Sequence, residues 1–598
     1  DSRAIVESVA GNEINQDLID QIVQRADGIP LFVEELSRSL VEHGADAAAS
    51  DIPDTLQASL LARLDKLGAE IKGVIQVGAV LGREFQHRMI AELVQTSEER
   101  LLATLDQLAQ SGLLSRRGLP PDATYFFTHA LVQDAAYASS LRSRRQSLHH
   151  AVALAMAGNV ASTGKSAPEL IAYHFEEAGR REDALPFRIA AGDQATSQSA
   201  GDEAAEHYEA ELQILQTTDI QDRDHTELET TLKLANARLL IGGYAAQGSY
   251  DAWQRARSLA TELNDAEGYL RAALGIVVAM LAKGQYASAL SLFQNYGTED
   301  AERLNAVNKV HYYTSTGIVH VCIGEFGAAK PLIDRALELN GLEPCTPRHP
   351  WAGADPEVVL RSYDTMIHAW QLRPALASDT AEKAIRATQA YDDPFSRVWA
   401  FMLKLRAFSM CGRYANALAY APVVEEAAIE HGFEQRRANT IYFRGLAKLA
   451  LNQASDGAED IREGLSIWSQ KGGLFHLGQW YAEAAAIALT AQELVLASEF
   501  HERATYYEDQ MELPTAMAEL TRIRGNLLHQ DGNHESAEKC IKQAMTEARQ
   551  KGALQFELRA ALDLFRLDLA GADEVAVRER VSGMISGLET DNDMPEVI

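Results

Sequence analysis

Along most of the chain apolar residues recur at helical rather than strand spacing. Leu18, Ile19, Ile22 and Val23 share one face, Asp27-Gly28-Ile29-Pro30 interrupts the run, and an apolar pattern resumes over 31–41. The first 50 residues therefore predict two helices, followed by a small-residue linker at 45–50. Pro53-Asp54 opens a segment with Leu56, Leu60, Leu61, Leu64 and Leu67 on one face. Further helices are predicted over 74–81, 87–94 and 97–111, the last with Thr96 and Glu99 as a capping box and Gly112 as its stop. Leu113-Leu114-Ser115, a turn around Pro120-Pro121 and Thr124-Tyr125-Phe126-Phe127 read as a β-hairpin. Helices followed by one hairpin are the layout of a winged helix, here over 51–157.

From about residue 168 the pattern becomes one of helical hairpins. The cue Gly-x-aromatic-x-x-Ala occurs as Gly284-Tyr286-Ala289, Gly324-Phe326-Ala329 and Gly412-Tyr414-Ala417, with Gly532-His534-Ala537 as a variant. Weaker copies centre on Ala458 and Ala497, and the wide gap between Ala329 and Ala417 leaves room for a degenerate repeat near Ala377. A period near 40 residues, against ~34 for the usual tetratricopeptide repeat, means longer helices or loops. Each hairpin then buries its apolar face only by stacking on its neighbours. The Pro- and His-containing stretch 344–351 reads as a loop projecting from the array. The expected fold is mainly α, an α-α superhelix of tetratricopeptide-like repeats over 168–575. A helical lid segment (1–50) and the winged helix precede it, and a tail (576–598) follows.

Composition narrows the function. With 55 Lys+Arg against 85 Asp+Glu, the 598-residue chain carries a net charge of −30, which opposes general nucleic-acid coating. No stretch is long and apolar enough for a membrane span, and no signal peptide is evident, so a cytoplasmic protein is expected. The four cysteines show no paired spacing and read as apolar fillers in a reducing compartment. The chain begins at Asp1 rather than Met, and a fragment is expected.

The search for catalytic or metal-binding spacings finds none, so no enzyme activity and no metal are expected of this chain. The Gly158 to Ser166 stretch resembles a phosphate-binding loop, but its two glycines are separated by five residues and a helical run precedes it. A polar inter-domain linker is the expectation there. Arg142, Arg144 and Arg145, with His149 and His150, form a basic cluster that either contacts phosphate or solvates a helix. The helix over 97–110 that would enter a DNA groove carries Glu98, Glu99 and Asp106 against Arg100, a poor recognition surface. Gly28-Ile29-Pro30 either packs against a nucleotide base or merely breaks a helix. His129, at a strand-to-helix junction, either bonds a phosphate oxygen or is structural.

Several stretches resemble the signal-transduction ATPases with numerous domains. They are Asp27-Gly28-Ile29-Pro30-Leu31-Phe32-Val33-Glu34-Glu35-Leu36, Ser59-Leu60-Leu61-Ala62-Arg63-Leu64-Asp65-Lys66-Leu67 and Gly78-Ala79-Val80-Leu81-Gly82-Arg83-Glu84-Phe85. The stretches Thr128 to Tyr137 and Leu141 to Arg145, Gly243-Tyr244-Ala245-Ala246 and Arg524-Gly525-Asn526-Leu527-Leu528 are similar to bacterial class III adenylate/guanylate cyclase proteins bearing such an ATPase and a tetratricopeptide tail. The resemblance implies a nucleotide switch whose cyclase and phosphate-binding modules lie upstream of residue 1. ATP or ADP would bind in that intact parent and only weakly to this chain alone. It implies that Gly28 and Pro30 contact adenine and that His129 senses the diphosphate. Ala130 stands where many related switches have aspartate, which weakens a sensing role at that second position. The repeats would sense a protein or small inducer, regulating cyclic-nucleotide synthesis or self-association. A stand-alone tetratricopeptide scaffold and a winged-helix transcriptional regulator are the alternative expectations.

Overall fold

The computed structural model describes residues 2–10, 16–26, 29–30, 32–34, 36–37, 55–163, 167–198, 200–217, 220, 222–294, 304–342, 354–390, 393–568 and 574–586. The chain is mainly helical and divides into two units, Asp1–Ala191 and Gly192–Ile598.

In the N-terminal unit, helices Ser2–Ala10 and Gln16–Ala26 bury Val6, Ile19, Ile22 and Ala26 with Phe32, Val33 and Leu36. The linker read at 45–50 lies outside the described residues. A larger core follows, formed by helices Leu56–Lys66, Ala69–Leu81, His87–Leu93, Glu98–Gln110 and Ala130–Ala138 around a small antiparallel sheet. The sheet has three strands, β1 Glu84–Gln86, β2 Leu114–Arg117 and β3 Thr124–Phe127, in the order β1-β3-β2. The hairpin expected from sequence is therefore present, with a strand that periodicity did not predict. At three residues β1 is too short to show alternation. It is held by its pairing with β3, Phe85 lying opposite Tyr125. Gly78 makes room for it, since a Cβ there would lie 2.7 Å from the Phe85 ring.

Two local expectations need correction. The cap of helix Glu98–Gln110 is Ser97, whose hydroxyl accepts from the Arg100 N–H; Thr96 lies one residue too early. The linker expected from Gly158 is helical as far as it is described, because helix Arg142–Thr163 continues through it. Its small, polar composition does not break a helix that Arg142 to Ala157 has already nucleated.

The C-terminal unit is a stack of antiparallel helix pairs of tetratricopeptide type, from Arg223–Gly242 with Gln247–Leu263 to Leu554–Arg566 with Glu574–Ser586. Each turn within a pair places one residue in the left-handed region. Glycine holds that position at Gly284, Gly324, Gly412 and Gly532, with φ between 70° and 80°, and Leu372, Asn452 and Gln492 replace it elsewhere. These turns recur every 40 residues, with one step of 48 between Gly324 and Leu372. The stretch 344–351 falls in that longer step and outside the described residues.

Five residues after each turn, a small buried residue lets the paired helices approach: Ala289, Ala329, Ala377, Ala417, Ala497 and Ala537. In the repeat between Ala417 and Ala497 the equivalent position is Gly457, not Ala458 as the alanine pattern predicts. There the backbones of Glu434–Ala450 and Ala454–Gly472 nearly touch. A Cβ on Gly457 would lie 2.7 Å from the Leu449 nitrogen, and one on Gly464 would lie 2.7 Å from the Tyr442 nitrogen.

The stack coils until its turns meet. Ala245 N–H donates to the Lys471 carbonyl at 3.1 Å, Glu512 N–H to Gly284 at 3.0 Å and Lys551 Nζ to Ile323 at 3.2 Å. Side-chain partners across this seam lie 224 to 230 residues apart, so five to six repeats complete one superhelical turn. Two glycines are required there. With φ of 75° and 61°, Gly243 and Gly473 bring their Cα atoms so close to the Lys471 and Ala282 carbonyl oxygens that any Cβ would overlap them. One continuous apolar core runs through the closed coil.

Candidate functional site

Of the residues singled out in the sequence, Gly28 lies outside the described residues. Pro30 opens a helical turn in which Phe32 and Val33 N–H groups return to the Ile29 carbonyl, and its ring is exposed. His129 is the N-cap of Ala130–Ala138, and its carbonyl accepts from Val132 at 3.1 Å. Thr128 anchors this junction, donating from Oγ1 to Gly112 at 2.8 Å and from N–H to Leu113 at 3.1 Å. The His129 ring is exposed. Among the described residues no hydrogen bond or ion pair joins it to Pro30.

The basic cluster is smaller than the sequence implies. Arg142 and Arg144 are exposed, but His149 is buried. Its Nε2 meets the Tyr137 hydroxyl at 3.0 Å and its Nδ1 meets His174 Nδ1 at 2.8 Å. Burial lowers the pKa of both imidazoles, that of His174 to about 4 with a further contribution from His149. A neutral, enclosed His149 is not a phosphate ligand. Spacing alone did not reveal this, because the partner His174 comes from helix Pro168–Glu177.

The array holds a cleft that sequence reasoning missed. It holds about 50 Å³ of accessible space and opens to solvent, and its walls include Trp370, Arg406, Ser409, Glu483 and Phe556. Trp370 and Phe556 belong to repeats far apart in sequence, yet their ring centroids are 6.5 Å apart. Arg406 lies on the inner face of helix Pro394–Met410 and is 8 % exposed. Its guanidinium stands 5.9 Å from the Phe443 ring and 6.0 Å from the Trp480 ring. Among the described residues it makes no ion pair, and its Nε has no hydrogen-bond partner. Burial pushes its pKa down, an effect only partly opposed by Glu483. One turn along the same helix, the buried Ser409 hydroxyl also lacks a partner. Glu483 accepts from the Tyr442 hydroxyl at 3.2 Å, and burial raises its pKa against the opposing charge of Arg406.

Next to the cleft a second arginine is fully engaged. Arg522 donates to both oxygens of Glu519, at 2.8 and 2.9 Å, and to Asp563. Arg559 adds a bond to Glu519 at 3.0 Å. Burial alone would raise the Glu519 pKa, but the charges of Arg522 and Arg559 hold it below the ordinary value. Among the described residues no group of three or more His, Cys, Asp or Glu side chains is placed to hold a metal ion. No described helix is long and apolar enough to cross a membrane.

No family model matches the chain. An uncharacterized protein from Rhizobium meliloti is 30% identical over 206 residues, which is 33% of this chain and 20% of that protein. The match thus spans about a fifth of that relative's length. Among solved structures, the chain is similar to the signal-transduction ATPase with a tetratricopeptide repeat sensor from Pyrococcus horikoshii. That match has a TM-score of 0.49 at 12% identity, over 85% of this chain and 72% of that one. It is also similar to a Rap protein complexed with competence and sporulation factor, with a TM-score of 0.46 at 11% identity over 62% of this chain and 99% of that one.

Proposed function

We propose that this chain is the sensing portion of a nucleotide-switched signalling ATPase, and that its helical array receives a ligand inside the superhelix. The observation that carries the sensor reading is the cleft at Arg406, where Arg406 Nε and the Ser409 hydroxyl are buried without hydrogen-bond partners among the described residues. Buried polar groups are normally satisfied, and an orphaned pair facing a cavity is the mark of a site completed by something else.

In this reading the segment 51–157 acts as a winged helix and the segment 1–50 as a lid on a nucleotide module. Gly28 and Pro30 pack on adenine, and His129 senses the diphosphate. The exposed imidazole at a helix N-terminus supports the last assignment, because the helix end favours an anion beside it. Ligand in the array favours the open form by its differential affinity for the two states, and nucleotide exchange follows. The parent's output is cyclic-nucleotide synthesis or self-association, and this chain performs no covalent chemistry itself.

The test uses a longer protein that includes the upstream nucleotide module. His129→Ala should release bound ADP and raise basal output. Unchanged ADP retention in that variant refutes the clamp, and triphosphate turnover by the 598-residue chain alone refutes the sensor-only role.

A further inference from the structure

Arg406 and Ser409 lie three residues apart on helix Pro394–Met410, so they share a face one turn apart. Both line the cleft, both are more than nine-tenths buried, and Arg406 Nε and Ser409 Oγ each lack a hydrogen-bond partner. Leaving a charged donor buried and unbonded costs more than leaving a neutral one. A guanidinium edge and a hydroxyl one turn apart match the two oxygens of a carboxylate.

The rest of the wall limits the ligand. Glu483 and Glu519 face the same space, which disfavours a dianion such as a phosphate monoester. Arg559, the other arginine on the wall, donates to Glu519 at 3.0 Å, which leaves Arg406 as the lining arginine without a carboxylate partner among the described residues. Trp370, Met410, Ile487 and Phe556 supply an apolar and aromatic surface next to the charge. The accessible space of about 50 Å³, open to solvent, admits the end of a small molecule or of a peptide, not a folded partner.

We propose that this cleft binds an amphipathic monocarboxylate, its carboxylate held by Arg406 and Ser409 and its apolar body lying against Trp370 and Phe556. The proposal rests on reading the array as a sensor and names the class of ligand sensed. Binding is measured on this chain alone, so failure of the nucleotide clamp leaves the result intact.

Isothermal titration of the full 598-residue chain tests it with 3-phenylpropionate, its neutral amide, phenyl phosphate and the peptide acetyl-Ala-Ala-Phe with a free C-terminus. The acid should bind at least about tenfold more tightly than the amide. Arg406→Gln should abolish that preference, Arg406→Lys should retain part of it, and Ser409→Ala should weaken the acid several-fold. Thermal melting of each variant confirms the fold, and the acid/amide ratio within wild type requires no variant. Tighter binding of the peptide identifies a peptide C-terminus as the source, and tighter binding of phenylpropionate a free small acid. Equal binding of acid and amide, tighter binding of phenyl phosphate, an undiminished preference in Arg406→Gln, or no heat from any probe up to ~10 mM would each overturn the proposal.

Discussion

The array buries arginine in two opposite ways within one neighbourhood. Arg522 and Arg406 are almost equally enclosed, at 5 % and 8 % exposure. Arg522 is matched by two carboxylates whose geometry uses all three of its nitrogens. Arg406 has aromatic faces, a distant carboxyl and an unbonded Nε. Equal burial with unequal satisfaction separates a group that holds the fold from one kept for something else. Burying an ion costs several kcal/mol unless a partner offsets it. In the first region the chain supplies that partner, and in the second a space stands in its place.

The largest expected effect breaks this contrast directly. Arg522→Met leaves Asp563 buried without its cation and Glu519 with Arg559 alone, and should cost about 3–5 kcal/mol, read as a clear fall in the array's melting temperature. Arg406→Met removes an unmatched charge and should leave that temperature unchanged or raised. Equal losses in the two variants would erase the distinction.

A smaller effect tests whether closure of the coil shapes the cleft. Gly473→Ala places a Cβ against the Ala282 carbonyl at a positive φ, whereas Gly552→Ala carries a similar φ into open space. The second should cost about 1 kcal/mol from backbone strain, and the first distinctly more. Chemical denaturation of both variants checks the order, and only Gly473→Ala should also weaken probe binding.

The two regions should also respond to pH in opposite senses. Glu519 is held below the ordinary carboxylate value of 4.5, so the stability it contributes is present above that value and lost as pH falls through its folded pKa. Glu483 is raised by burial, so its contribution is present at low pH and lost as pH rises from 4.5 through its folded pKa. In melting curves taken from acid to neutral pH, Glu519→Gln should flatten the acid limb and Glu483→Gln the opposite slope. Matching profiles for the two variants would contradict the assignment.

The N-terminal unit offers a third way to bury a polar group, by keeping it neutral. The smallest effect is expected there. Between the ordinary histidine value of 6.5 and about 4, unfolded chain takes up a proton at His174 that the folded unit refuses. Stability should therefore decline as pH drops across that window, and the His174 ring should titrate near 4 by NMR. Titration near 6.5 would mean that the burial of His174 is not maintained.

The helical class and the 40-residue period were legible because both arise locally, from a turn that needs a left-handed residue and an anchor five positions later that must be small. The same locality explains the misplacement at Ala458. Alanine was the cue, but where two backbones touch only Gly457 fits, and that closeness is a fact about the opposite helix. Strand β1 escaped notice because three residues carry no periodic signal and the strand exists only through its pairing with β3. His149 read as a surface base because the residue that neutralises its role, His174, lies 25 positions away.

What the amino-acid order determined by itself is the repeating unit: helix, left-handed turn, small anchor, helix. What only tertiary structure decided is which polar side chains end up inside and whether they find partners there. Arg406 sits among Leu405, Ala407 and Phe408 much as other charged residues sit in neighbouring helices. Its surroundings are set by Trp480 and Phe556, 74 and 150 residues further along, brought beside it only when the repeats stack and coil. Short-range preferences set the pitch of each hairpin. The interior of a superhelix is the sum of many such pitches, and no window along the chain contains it.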